Sequence, residues 1–477
     1  MKQFFRKLAK ILAYTMAALV IMLAIAVGLF RLFLPRLPEY QEEIKTWASD
    51  AIGMEVEFSG MDARWGLNGP EIEFFDTELI RPDNKKRAIA ADVVSIGISL
   101  NSLLFDRNFV VDRVAIRDTS IEVRQLEDGA WWIQGTTVHE LPRAHSGGAQ
   151  RLGDMRVVGE NIEIQFLQPG DERPRRIRVP SVLVSIDEHR IAVDGSLRLP
   201  DDLGDQVTIS ATQMLGPAQE DRSWDVRVEA DDVVLAGLSS LRRSAQFNIL
   251  TGVGDIDVSL ELAGGRVRSA VTELEFNDIS IEPDRSFDLA GRFELDLSTD
   301  GWLVAAEDLR LATQDSAWPE TSLHVAAGTG SDGQIEMLDV SASYLRLGDG
   351  ILARPWLAPE HRDKLDDLDV SGELRDLSAT ISGIGTDNVY FDIEVDLDKV
   401  GMAANGKRPG VRGFSGRIDG NRRGGHIAIS SVGLELDLPA VMTRTADIDA
   451  IDGMLNCRST ANLTRLTTDS VSAVSNT

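Results

Sequence analysis

GDIDVSLEL, residues 254–262, sets Ile256, Val258, Leu260 and Leu262 at every second position and puts Asp255, Asp257, Ser259 and Glu261 between them. Side chains alternate between the two faces of a strand, so this pattern gives one apolar and one wet face. The same period of two recurs at Met54, Val56 and Phe58, and again at Val94, Ile96, Ile98 and Leu100. It continues at Ile162, Ile164 and Phe166, at Val182, Val184 and Ile186, at Trp224, Val226 and Val228, and at Phe293, Leu295 and Leu297. Turn-forming clusters separate the runs: GDE at 170–172, TDGW at 299–302, SDGQ at 331–334 and DGNRRGG at 419–425. Short Gly- and Asp-rich reversals join neighbouring strands, which predicts an antiparallel, mainly β body.

At 13 to 15 residues per strand and turn, Met54 to Met442 holds roughly 25 to 30 strands, several times the usual number in one sheet. Each strand carries an apolar face, and the chain has few amphipathic helices to cover it. That face must meet another sheet, itself, or a ligand. A long curled sheet with an extended hydrophobic groove and a string of ordinary β-sandwiches both satisfy the pattern, and periodicity does not separate them.

The N-terminus reads differently. Ile11 to Phe30 contains no charged residue, and at about 1.5 Å per residue it spans the roughly 30 Å hydrocarbon core of a bilayer. Lys2, Arg6, Lys7 and Lys10 precede it, while acidic Glu39, Glu42 and Glu43 soon follow. The positive-inside bias therefore places residues 1–10 in the cytoplasm, 11–34 as a single-pass transmembrane anchor, and the body outside. A cleaved signal peptide is the competing reading, because Ala24-Ile25-Ala26 fits a cleavage site, but apolar residues run on to Leu34 without a polar stretch. Leu37, Tyr40, Ile44, Trp47 and Ala51 share one helical side, predicting an amphipathic helix over 36–53. Tyr40, Trp47 and Trp65 are candidate membrane-interface residues, since amphipathic rings favour that depth, with core packing as the alternative. After Met442 the alternation fades, and 443–477 is expected as a polar tail, disordered or truncated.

Composition narrows the function. The 477 residues carry 76 acidic and 49 basic side chains, a net charge of -27 that opposes nucleic-acid binding. A single cysteine, Cys457, excludes internal disulfides and multi-cysteine metal sites. The six histidines, His139, His145, His189, His324, His361 and His426, have no metal-binding spacing. Asp363, Asp366, Asp367 and Asp369 lack the Gly and Glu of a calcium loop. Gly328 to Gly333 matches a G-x-G-x-x-G pattern, but Ile335 and Met337 continue it as a strand, which predicts a hairpin turn in place of a nucleotide site. No cofactor and no enzymatic activity are expected.

The stretch from Ala51 to Gly135 carries a further signal in Ser102-Leu103-Leu104, Val111-Asp112-Arg113-Val114 and Asp128-Gly129-Ala130-Trp131. With Leu289–Val325 and Gly410–Ser430, their order after an anchor resembles the AsmA-like superfamily, and within it the YhdP family. The resemblance covers roughly residues 1 to 442, and members of this type are usually much longer. It implies a β-groove over 54–442 that carries phospholipids from the inner toward the outer membrane of a Gram-negative envelope, with the body in the periplasm. Outer-membrane or periplasmic partner proteins are implied as well. On this reading Val94, Ile96, Ile98, Leu100, Ile162, Ile164, Phe166, Val182, Val184, Ile186, Ile256, Val258, Leu260, Phe293, Leu295 and Leu297 line the groove. The alternative is a periplasmic scaffold that influences outer-membrane protein assembly and envelope integrity without conducting lipid.

Overall fold

The computed structural model describes residues 16, 28, 41–52, 55–66, 69–80, 87–99, 111–126, 131–133, 136–137, 155–169, 173–215, 223–241, 249–283, 285–330, 333–350, 367–386, 389–405, 408–439, 444–460 and 463–475. The expected anchor at 11–34 lies almost wholly outside them. No helix among the described residues is long and apolar enough to cross a membrane. Two compact units divide the chain, residues 1–200 with 206–222, and residues 201–205 with 223–477.

The first unit opens with α1 (Gln41–Ile52), the described part of the predicted amphipathic helix. Its Lys45 ammonium sits 5.3 Å from the centre of the Phe58 ring and bonds Glu57 Oε2 at 3.0 Å, while Ser49 Oγ accepts the Val56 N–H. These contacts fix the helix on β1 (Glu55–Glu57). Then come β2 (Gly60–Gly66), β3 (Gly69–Ile80), β4 (Arg87–Ile98), β5 (Val111–Arg117), β6 (Ser120–Gln125), β7 (Trp131–Ile133) and β8 (Thr136–Thr137). The unit continues with β9 (Met155–Leu167), β10 (Arg175–Ile186), β11 (Arg190–Arg198) and β12 (Gln206–Met214). Neighbours are antiparallel as predicted, with one exception: β5 and β6 lie end to end along β9 and run parallel to it. A parallel pair needs a connection of a dozen residues or more, and residues 126–154 supply it.

The second unit is a meander in which each strand pairs antiparallel with the one before. It comprises β13 (Ser223–Val234), β14 (Thr251–Ala263), β15 (Arg266–Glu282), β16 (Arg285–Ser298), β17 (Gly301–Thr313), β18 (Thr321–Thr329) and β19 (Ile335–Arg346). β20 (Ser371–Ser382), β21 (Tyr390–Met402), β22 (Gly410–Asn421), β23 (Gly424–Asp437), β24 (Ala446–Thr460) and β25 (Leu463–Val474) complete it. A one-and-a-half-turn helix, α2 (Leu235–Ser240), follows β13. The turns predicted at 299–302 and 419–425 are tight hairpins, with Ser298 opposite Gly301 and Asn421 opposite Gly424. Gly328 to Gly333 lies in the β18–β19 hairpin, where Gly330 accepts the Gly333 N–H.

The expectation of a polar tail over 443–477 is corrected: β24 and β25 occupy most of it. Ile448 stands opposite Leu434 and Leu455 opposite Ile427, so enough apolar residues remain to extend the face. The threonines and serines of β25 are compatible with a strand, and its backbone pairs along β24.

Candidate functional site

Cross-strand register decides which side chains share a face, and it gathers the apolar ones on one side of each unit. In the first unit one file runs Ile72, Ile96, Val114, Val157, Val184, Val193 and Ala211. The adjacent file runs Phe74, Val94, Ile116, Gly159, Val182, Gly195 and Ile209. In the second unit Val226, Leu260, Ala270, Leu295, Val304, Val325, Val340, Ala379 and Ile393 stand side by side across β13 to β21. At about 4.8 Å per strand, that file extends roughly 38 Å.

A strict period of two would lose this face partway along several strands, because these also carry a phase break. Non-glycine residues with φ near +50° mark it: Asp76, Asp118, Asn161, Asp232, Asp278, Asp308, Asp376 and Lys399. Four of the eight follow one spelling, apolar-x-Asp-apolar: Ala230-Asp231-Asp232-Val233, Phe276-Asn277-Asp278-Ile279, Ala306-Glu307-Asp308-Leu309 and Leu374-Arg375-Asp376-Leu377. Asp and Asn tolerate the left-handed region better than other side-chain-bearing residues. The one extra residue at each break shifts register and returns the next apolar side chain to the original face. Phe287 and Leu289 alternate normally on β16 and face Ile279 and Phe276, which places both sides of the β15 break on one face. Backbone N–H groups at these breaks find side-chain acceptors on the next strand: Asp232 N–H donates to Asp255 Oδ1 at 2.9 Å, Asp278 N–H to Asp288 Oδ1 at 2.8 Å, and Lys399 N–H to Ser415 Oγ at 2.9 Å. In the first unit a Cβ on Gly159 would meet Val182 Cγ1 at 2.6 Å and Ile162 Cδ1 at 2.7 Å, so Ile162 and Val182 converge on one face across the Asn161 break.

Exposure on the apolar face is graded. Near the breaks the second unit packs Phe276, Ile279, Phe287, Leu309, Leu311, Tyr344 and Leu434 out of solvent. Toward the opposite hairpins the same face is open: Leu297 is 40% exposed, Val304 37% and Phe391 42%. The expected lining residues divide along this gradient. Ile256, Val258, Leu260, Phe293 and Leu295 are half-buried, and Leu297 lies at the open end. Ile162, Ile164, Val182, Val184 and Ile186 are half-buried in the first unit, while Phe166 is buried. Val94, Ile96 and Ile98 are buried too. Ile96, 4% exposed, belongs to a closed cluster with Val56, Phe58 and Phe74, so its side chain is part of a packed core. Leu100 and Tyr40 lie outside the described residues, as does the side chain of Trp47; Trp65 is half-buried on the β2–β3 hairpin, opposite Pro70.

The reverse face is ionic. In the first unit Glu71, buried among strands, accepts Ser95 Oγ at 2.8 Å and Arg64 Nε at 3.0 Å. Arg117 joins it through Glu73 at 3.3 Å and Glu160 at 2.8 Å. Burial alone would push the Glu71 carboxyl up, but the hydrogen bonds from Arg64 and Ser95 outweigh it and hold it below its ordinary value. In the second unit one arginine recurs every few strands, each held by two carboxylates: Arg227 by Asp257 and Glu229, Arg292 by Glu273 and Glu294, Arg375 by Glu373 and Asp398, Arg417 by Glu394 and Asp396. A shallow depression of about 520 Å³ opens on this face near Asp255, Asp257, Glu273 and Arg292. Among the described residues no group of three or more His, Cys, Asp or Glu is placed to hold a metal ion. His324 on β18 and His426 on β23 are four strands apart or more, and His426 Nδ1 lies 2.6 Å from Asn456 Oδ1.

Comparison with known proteins supplies the remaining context. The chain is 22% identical over 475 residues to the intermembrane phospholipid transporter YhdP of Escherichia coli (strain K12), an alignment that takes in 94% of this chain and 36% of that protein. This chain therefore spans about a third of the length of that relative. The family model for the YhdP protein matches residues 1–476. With its ladder of antiparallel strands and a single apolar face, the chain belongs to the YhdP family.

Proposed function

We propose that this protein binds phospholipid acyl chains along the open part of its apolar face and carries them between the membranes of the cell envelope. The observation that carries the reading is the unbroken apolar file of β13 to β21, kept in phase by the Asp breaks and left exposed toward one set of hairpins. The relative's role as an intermembrane phospholipid transporter supports the same substrate class. The physical gain is large. Exposing acyl chains to water costs about 0.8 kcal/mol per CH₂, so a dozen methylenes cost roughly 10 kcal/mol, and an apolar wall removes most of that barrier. The ionic reverse face keeps the sheet wet on its other side. Transfer needs no covalent step, so we propose a carrier and no enzymatic activity. The apolar segment at 11–34 would tether it to the inner membrane with residues 1–10 in the cytoplasm and the body in the periplasm.

Photo-crosslinking tests the face directly. A photoreactive amino acid at Val304, Val325 or Val340 in the full chain should capture phospholipid in cells, whereas the same group at Glu294 or Ser341 on the reverse face should not. Equal capture from both faces, or from neither, would reject the reading.

A further inference from the structure

Arg227, Arg268, Arg292, Arg375 and Arg417 on β13 to β25 are held by acids, whereas four arginines gathered at one rim are not. Arg422 and Arg423 form the two-residue turn between β22 and β23, and Arg458 and Arg465 stand directly opposite each other on β24 and β25. Gly424 is the cross-strand neighbour of Arg458 on its other side, so no side chain intervenes there. Arg422 Nη1 donates to the Val389 carbonyl at 3.1 Å, a neutral partner. Among the described residues no carboxylate pairs with any of the four, although the chain carries 76 of them. Like charges directly across a strand pair repel and destabilise the ladder, and at Arg227, Arg292, Arg375 and Arg417 this fold sets two carboxylates against the guanidinium instead. The same rim carries exposed apolar residues on the opposite face: Leu466, next to Arg465, is 62% exposed, and Phe391 lies on β21 nearby in the ladder.

We infer that Arg422, Arg423, Arg458 and Arg465 form an anion site for a phosphate group, placed to take the phosphate of a phospholipid whose acyl chains lie on the apolar face behind it. This rests on the acyl-chain reading above and adds to it the position of the headgroup. Guanidinium forks bind phosphate oxygens through paired, charge-assisted hydrogen bonds, and long arginine stems reach around a sheet edge to do so. A bound anion removes the Arg458–Arg465 repulsion.

The test compares the full chain with R458Q/R465Q and, independently, with R422Q/R423Q in the exposed turn. Three probes are used: a short-chain phosphatidylglycerol, the diacylglycerol with the same chains, and inorganic phosphate. Both variants should bind the phospholipid about tenfold more weakly and the diacylglycerol as the parent does. Competition by inorganic phosphate in the parent, absent in the variants, would show that the phosphate group alone suffices. No competition, with phospholipid binding still lost, would show that the headgroup is recognised only together with its chains. Unchanged phospholipid binding in both variants overturns the rim site while leaving the acyl-chain reading intact. Failure of the parent to bind either lipid overturns that reading instead, and arginine-dependent binding of inorganic phosphate would then still support the rim site.

Discussion

Leu297 and Val304 lie on neighbouring strands at the open end of the apolar face, and replacing both by aspartate places charge where acyl chains are proposed to run. Full burial of a leucine or valine is worth about 1.5 to 3 kcal/mol, and these two residues are already 40% and 37% exposed. Folding therefore loses only about 1 to 2 kcal/mol per site, since the new carboxylates reach water. A passing hydrocarbon chain must instead strip water from them, at a cost of several kcal/mol, and 3 kcal/mol already slows a step about a hundredfold. Transfer of a fluorescent phospholipid between donor and acceptor vesicles should fall by that order in L297D/V304D, with only a modest drop in thermal midpoint. Ser259→Asp, opposite Arg227 on the ionic face, should leave transfer unchanged. Ile96→Asp should behave differently again and unfold its unit, because that side chain is enclosed by Val56, Phe58 and Phe74. A folded L297D/V304D protein that transfers lipid at the parental rate would refute the reasoning.

Three further outcomes follow from the packing. Asp278→Ala should cost about 1 to 2 kcal/mol by forcing a side chain without local hydrogen bonding into the left-handed region, whereas Asp278→Gly should be close to neutral in the same melting experiment. Gly159→Val should destabilise the first unit by about 1 to 3 kcal/mol, since its new methyls meet Val182 and Ile162, and denaturant unfolding reads that loss. Glu71 is held below its ordinary value, so its stabilising effect is complete above the unfolded carboxyl value of about 4.3 and disappears as pH falls through the lower folded value. Glu71→Gln should therefore lower the thermal midpoint at pH 7 and make little difference once the carboxyl is protonated at strongly acid pH; an equal loss at both would contradict the pairing.

Alternation alone carried the strand reading a long way, because a half-buried strand writes its face into the sequence every second residue. Val226, Val228, Ile256, Val258 and Leu260 sit on the expected face for that reason. What alternation hides is the phase break: Phe276 and Ile279 are three apart yet face the same way, a spacing that resembles noise until Asp278 is read as a left-handed residue. The recurrence of apolar-x-Asp-apolar on β13, β15, β17 and β20 is the available signal. Ile96 has the spelling of an open-face residue but packs against Val56, Phe58 and Phe74, a tertiary fact that no local pattern encodes. The same holds for β5 and β6 against β9, whose parallel pairing depends on where the intervening chain returns. β25 carries as many Thr and Ser as apolar residues and they do not alternate cleanly, so its strand is fixed by the ladder to β24. The uncompensated arginines at the rim became visible only once register placed Arg458 opposite Arg465.

On the proposed function the exposed apolar file holds hydrocarbon. Native mass spectrometry of the full chain, released from detergent and followed by lipid identification, tests it most directly: bound phospholipid is predicted in the parent and its loss in L297D/V304D. A parent protein that emerges free of lipid, with a file that stays unoccupied when phospholipid is supplied, would contradict the account.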